Sequence, residues 1–336
     1  MGSTCSAHVG VPFTPAPTGA DATAGIVILA LLGFGFVITV SSFITQLREP
    51  APYGKFAEDG AKTAKEASDH AVVNAQPEHE RSLSEDARTP ENAEERKHDA
   101  AGDTVEDEAP PACSINQRIA HTLSDFPSGV LGVTLIYVLV PGRAGGDSRT
   151  VSSGLLLAAW LLHYIHRGLI HPWVMPYGSK TTPLGICIGG MIPNWTFCSA
   201  LALHLAYAGY PPGYLCDVRF IAGALIFVAG YVMNRWADLH LRSIRLESQA
   251  RGGPKYVVPR AGPFRLVCNA NYLGELIQWI GFALMSSSAV AVLWVVFCLS
   301  TFLPRSVRTL DWYKNSGKFD AAEIPAGWCA VIPFIL

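Results

Sequence analysis

Seven long apolar stretches run through this chain, and no other feature limits its fold as much. A bilayer's hydrocarbon core is about 30 Å thick and a helix rises about 1.5 Å per residue, so a crossing helix needs roughly 20 apolar residues. Residues 24–45 reach that length, and further apolar segments follow at about 126–141, 152–170, 184–209 and 217–237. The stretch 272–303 is too long for one span, and Met285-Ser286-Ser287-Ser288 near its middle predicts a tight hairpin between two helices. Half of the 336 residues are hydrophobic and 15% are charged, a balance that suits lipid better than water. Lipid offers the backbone no partners, which leaves helices as the means of crossing. The expected fold is all-α: a polytopic membrane protein with a seven-transmembrane-helix bundle.

The formal charge of −2 hides a split. Residues 54–110 hold 16 acidic and 7 basic residues, leaving 11 acidic and 18 basic elsewhere. That stretch has almost no aromatics and cannot bury a core, so 54–115 reads as a disordered acidic insert between the first two helices. The remaining basic residues set the topology, since cytosolic loops collect Lys and Arg. Arg48 and Lys55 follow the first helix, Arg242 to Arg265 follow the fifth, and Arg305 to Lys318 close the chain. Seven spans put all three regions on one side. The N-terminal tail 1–23 is then lumenal, 24–53 is the first transmembrane helix with its flank, the insert is cytosolic, and 116–336 is the membrane core. No Lys or Arg precedes the first apolar segment, so it reads as a retained helix rather than a signal peptide. The eight cysteines at 5, 113, 187, 198, 216, 268, 298 and 329 contain no Cys-x-x-Cys, and they read as small buried residues rather than a disulfide framework.

Ionisable residues at the mouths of membrane helices are costly and mark candidate sites. Asn234, Asp238, Arg242 and Arg245 share one helical face. Two guanidiniums there suit phosphate oxygens, while the amide and carboxylate suit hydroxyls; a plain Asp238–Arg242 salt bridge explains the spacing equally well. Asn271 and Glu275 are also one turn apart, a pair able to meet a carboxamide or a neighbouring helix, with Gln278 one turn deeper. Tyr164 and Arg167 share a face, and Asp125 opens the second helix. Either the tyrosine hydroxyl stabilises a developing enolate with the carboxylate's help, or Tyr164 is an interfacial anchor and Asp125 a helix cap. Histidines 163, 166 and 171 lack the repeated boxes of membrane di-iron enzymes, so no metal is expected. No Gly-x-Gly-x-x-Gly follows a strand, which argues against a Rossmann domain.

A set of ordered motifs resembles the steroid 5α-reductase (3-oxo-5α-steroid 4-dehydrogenase) family. They are Tyr53-Gly54-Lys55, Asp125-Phe126-Pro127-Ser128, His163-Tyr164-Ile165-His166-Arg167 and Asp217-Val218-Arg219-Phe220. After Asn234, Asp238, Arg242 and Arg245 come Tyr256-Val257-Val258-Pro259, Asn271-Tyr272-Leu273-Gly274-Glu275, Arg305, Trp312-Tyr313 and the terminal Ile332 to Leu336. The resemblance implies a seven-helix, multi-pass enzyme of the endoplasmic reticulum membrane that uses NADPH to reduce the Δ4 double bond of a 3-oxo-steroid or related sterol entering from the bilayer. It implies that Tyr164 polarises the 3-oxo group with help from Asp125. It also implies that Asn234, Asp238, Arg242, Arg245, Asn271, Glu275, Arg305 and Tyr313 hold NADPH, within a binding region of about 217–336. Several positions depart from the family: Asp125 stands where Glu is usual, Trp328-Cys329 replaces a basic pair, Lys180 is the remnant of a basic loop, Gln278 replaces a frequent acid, and the insert is atypical. The alternatives are reduction of a trans-2-enoyl thioester or a polyprenol, a membrane methyltransferase, and a sterol-binding protein without activity. Methyltransferases of this kind carry Arg-His-Pro where this chain has Leu266 to Asn271.

Overall fold

The computed structural model describes residues 20–48, 113–142 and 149–335. By its contacts the chain divides into one unit of Met1–Arg48 with Ser114–Leu336 and a second of Glu49–Cys113. Apart from Cys113 the second unit, and with it nearly all of the expected insert, lies outside the described residues. So does most of the tail; its last residues, 20–23, already belong to the first helix.

Helix α1 spans Ala20–Arg48. A three-residue strand β1 (Ser114–Asn116) leads into α2 (Gln117–Phe126), a π-helical turn (Pro127–Gly132) and α3 (Val133–Leu139). Next come α4 (Val151–Ile165), a second π turn (His166–Ile170) and the short α5 (His171–Val174). Strand β2 (Thr181–Pro183) precedes α6 (Leu184–Tyr207), and α7, Val218–Ala250, is the longest of the described helices. Helices α8 (Ala270–Ser286) and α9 (Ala289–Asn315) complete the bundle.

Among the described residues, five helical runs are long and apolar enough to cross a membrane: Ala22–Arg48, Gln117–Leu139, Leu184–Tyr207, Val218–Ala250 and Ala289–Asn315. Large apolar side chains such as Leu29, Phe36, Leu135, Leu225 and Val232 point outward and are exposed, as expected of a surface that meets lipid. The other two expected spans are both helical, but α4 has 15 residues before its π turn and α8 has 17. The hairpin between α8 and α9 lies where the serine run predicts it. Ser287 adopts a left-handed conformation at the end of α8, and Ser288 caps α9 by accepting from Ala291 N.

Two expectations need correction. The fold is not purely helical: β1 and β2 pair antiparallel, Ser114 opposite Pro183, so residues 114 and 115 belong to a ribbon rather than to the insert. The fifth apolar helix continues past its apolar part to Ala250, so it carries the expected shared face of Asn234, Asp238, Arg242 and Arg245. Cys216 is disulfide-bonded, whereas Cys187, Cys198, Cys268 and Cys298 are buried free thiols.

Helices α7 and α8 run antiparallel and touch through their backbones. A Cβ on Gly223 would lie 2.5 Å from Met285 N, one on Gly230 2.2 Å from Gln278 N, one on Gly274 2.5 Å from Asn234 N and one on Gly281 2.3 Å from Phe227 N. The glycines on each helix are seven residues apart, two turns, so all four fall on the shared seam. Lipid tails are as apolar as Leu, and membrane helices therefore associate through such close contact. Beside this seam lies an aromatic core in which Trp160 packs against Trp279, Phe282 and Trp294 at centroid distances of 4.9, 5.3 and 5.9 Å.

The seam predicts that Gly274→Ala destabilises the protein by about 1–3 kcal/mol, because Asn234 backbone cannot give way as a flexible side chain would. Gly185→Ala, where a Cβ meets nothing within 4 Å, should be neutral or slightly stabilising. Thermal melting in detergent checks both, and equal melting of Gly274→Ala and wild type would contradict the seam.

Candidate active site

Two π turns shape the site, and each follows a candidate catalytic residue within two positions: Asp125 precedes the turn at Pro127–Gly132, and Tyr164 precedes the one at His166–Ile170. Proline has no N–H to continue the helical ladder, and a wider turn absorbs the break. Each turn contains a glycine that lets the two segments touch. A Cβ on Gly129 would sit 1.8 Å from the Tyr164 ring, and one on Gly168 would sit 2.8 Å from Phe126 N. The phenol thus packs against the π turn that follows α2, and its ring also stacks on Trp160 at 5.1 Å.

Tyr164 and Asp125 are both buried but do not bond each other directly. The Tyr164 hydroxyl donates to Asn194 Oδ1 at 2.9 Å, and Asn194 Nδ2 donates to Asp125 Oδ1 at 2.9 Å and to Ser124 O at 3.0 Å. The other side of Asp125 faces Arg167, whose Nε is 3.5 Å from Asp125 Oδ2 and whose Nη1 is 3.9 Å from Glu275 Oε2. His163 Nε2 lies 3.7 Å from Glu275 Oε1, while its Nδ1 is 3.0 Å from the Gln278 amide nitrogen. Asp125, Tyr164 and Glu275, which come from three separate stretches of sequence, therefore belong to one buried polar network.

The seam of α7 and α8 adds a second group. Asn234 Nδ2 donates to Asn271 O at 2.8 Å, directly beside Gly274 and Glu275. Asn234 Oδ1 accepts from Arg235, which also reaches His166. Asp238 does not bridge to Arg242; its Oδ2 is 3.4 Å from His171 Nδ1, and His171 Nε2 is 3.2 Å from the Tyr177 hydroxyl. Burial pushes the Tyr177 phenol up to about 12, so it remains a neutral hydroxyl. The three histidines thus serve different partners, and among the described residues no group of His, Cys, Asp or Glu is arranged to hold a metal ion.

The remaining candidates lie further out. Arg242 Nε donates to Val174 O at 2.9 Å, and Arg245 stacks over the Tyr256 ring at 5.1 Å. Tyr256 meets Trp312, which touches Tyr313, so Arg245 and Tyr313 share one aromatic cluster with Phe319 and Trp328. Arg305 Nε donates to Gln46 Oε1 at 3.3 Å and ties α9 to α1. Residues 328–330 run beside 266–269, with Cys268 N donating to Cys329 O and Cys329 N to Leu266 O, and hold the start of α8 in place.

A family model described as 3-oxo-5-alpha-steroid 4-dehydrogenase matches residues 180–336. The steroid 5-alpha-reductase DET2 of Solanum lycopersicum is 32% identical over 227 residues, 66% of this chain and 82% of the relative. The 3-oxo-5-alpha-steroid 4-dehydrogenase 1 of Rattus norvegicus is 32% identical over 226 residues, 67% and 83%. The chain belongs to the 3-oxo-5-alpha-steroid 4-dehydrogenase family. Within this member, the sequence patterns pointed to Tyr164, Asp125 and Glu275 but passed over Asn194 and Arg235. Asn194 had one available signal, an amide following Pro193 inside an otherwise apolar membrane-length helix.

Arg167 faces two carboxylates, and its side chain is 30% exposed, which softens its worth. Arg167→Met should lower stability by about 1–3 kcal/mol by leaving Asp125 and Glu275 without their shared cation. Arg167→Lys should recover part of that loss, since it keeps the charge but not the planar fork. Melting curves of the two variants test this; a Met variant as stable as wild type would show that the ion pairs contribute nothing.

Proposed function

We propose that this protein reduces the Δ4 carbon–carbon double bond of a 3-oxo-steroid or related sterol, with NADPH as reductant, in the endoplasmic reticulum membrane. The observation that carries this reading is the buried Tyr164 hydroxyl, hydrogen-bonded into the Asn194–Asp125 pair beside the Glu275 network, in a chain of this family. A steroid ketone in that place would accept from Tyr164. Its carbonyl would then draw electron density from the β-carbon, and the donor would meet the enolate charge in surroundings that exclude water. NADPH, when bound, supplies the hydride for the β-carbon, C5; the α-carbon, C4, takes a proton and the ketone is restored. Asp125 assists Tyr164.

The polar side chains at the helix ends suit a dinucleotide phosphate. Asn234, Asp238, Asn271 and Glu275 provide amide and carboxylate groups for a carboxamide and ribose hydroxyls. Arg242, Arg245 and Arg305 are half-buried guanidiniums at the same ends of α7 and α9, suited to phosphate oxygens. Tyr313, through its cluster with Arg245, would border the same region, making about 217–336 the cofactor-binding part of a 116–336 catalytic core.

The reading includes seven spans, with α4 and its extension and α8 as the two beyond the five long helices. It places the N-terminus in the lumen, and the acidic insert and the C-terminus in the cytosol. The basic residues after Ala250 and in the C-terminal tail support this orientation, since cytosolic loops collect Lys and Arg.

Two variant series test the roles. Tyr164→Phe should lower kcat by roughly a hundredfold or more while leaving the Kd for NADPH near wild type, because it removes one donor and nothing else. Glu275→Gln and Arg305→Ala should instead raise the NADPH Kd by roughly tenfold or more. Near-normal turnover by the tyrosine variant would remove Tyr164 from the mechanism, and unchanged cofactor affinity in both others would remove them from the binding site.

A further inference from the structure

We infer that Asn194 is a positioning residue, resting on the reading above, which couples Asp125 to Tyr164 and sets the direction of the phenol's proton. Both hydrogens of its amide nitrogen are committed, one to Asp125 Oδ1 at 2.9 Å and one to Ser124 O at 3.0 Å. Both partners are acceptors, so the amide cannot turn over without setting its own oxygen against them. Its Oδ1 is therefore held toward Tyr164, 2.9 Å from the hydroxyl, and the hydroxyl must donate. All three side chains are buried, and an unsatisfied group among them would cost more than the bond it lost.

The arrangement explains how an aspartate serves here. Asp125 makes no direct hydrogen bond to Tyr164, and the amide spans the gap between carboxylate and phenol. Tyr164 is held by three neighbours: Trp160 stacks on its ring, Gly129 allows a close approach, and Asn194 orients the hydroxyl. Arg167, 3.5 Å from the far oxygen of Asp125, is the charged group behind the carboxylate. A substrate ketone has to draw the phenol's single proton away from Asn194 Oδ1. Asn194 itself touches neither the ketone nor the reductant in this account; it acts through Tyr164.

The test compares Asn194→Ala and Asn194→Asp with wild type, using NADPH and a 3-oxo-Δ4 steroid, with NADPH affinity as the check on folding. Asn194→Ala should lower kcat roughly ten- to a hundredfold, with smaller changes in KM and in NADPH Kd, because only the geometry of the donor is lost. In Asn194→Asp the new carboxyl mimics the amide when protonated, with one O–H for Asp125 and one carbonyl oxygen for Tyr164. When ionised it sets a second negative charge beside Asp125. Two carboxyls sharing a site retain one proton to raised pH. The ratio of Asn194→Asp to wild-type kcat should therefore rise as pH falls from about 8 to about 6. That comparison uses only the aspartate variant and wild type, so it stands even if Asn194→Ala does not accumulate. A pH-independent ratio, or an alanine variant within about twofold of wild-type kcat, would overturn the inference while leaving the proposed activity intact. Absence of steroid turnover by wild type would instead overturn the activity, and the inference with it.

Discussion

The backbone contact between α7 and α8 is the constraint on which the site depends. Four glycines, two on each helix, bring main chains to distances that any Cβ would prevent. Nothing in lipid drives apolar helices together as water would, so such contact must come from shape. Its consequence is chemical. Asn234 reaches the carbonyl of Asn271, Gly274 fits beneath Asn234, and Glu275 is turned toward Arg167 and His163. The C-terminal strip beside residues 266–269 and the Trp328 indole, which donates to Phe264 O at 2.7 Å, brace the loop that starts α8.

Within that frame lies a set of charges that an apolar bundle would otherwise exclude. A carboxylate in such surroundings survives only with partners, and Asp125, Asp238 and Glu275 each have them. The separations around Arg167 and Glu275, 3.5 to 3.9 Å, exceed those of a tight ion pair with hydrogen bonds. A set of charges that only stabilised the fold would be expected to close up further; a set that also meets a ligand need not. The two π turns and their glycines then bring Tyr164 into the same network.

Much of the helical outline was legible in the sequence because membrane helices write their length and apolarity directly into it. The serine run between α8 and α9 was readable for the same reason, since a hairpin needs residues that cap. The ribbon at 114–116 was not, because three-residue strands carry no period. The polar extension of α7 was readable as far as Arg245 from the shared face of Asn234, Asp238, Arg242 and Arg245, but its end at Ala250 was not. At the site, Asn271 and Glu275 were readable as an i, i+4 pair within one helix. The Asp125–Asn194–Tyr164 chain was not, because its members lie 30 and 69 residues apart and only packing brings them together.

The most direct test of the central claim is isotopic. Purified protein in lipid would be given NADPH deuterated at the transferable position, with a 3-oxo-Δ4 steroid beside a trans-2-enoyl thioester. The account predicts a 5α-dihydro steroid carrying deuterium at C5 and a solvent proton at C4. Deuterium in the thioester product alone would contradict it and assign the Tyr164 site to another activated alkene; label in neither product would remove reductase chemistry from the site altogether.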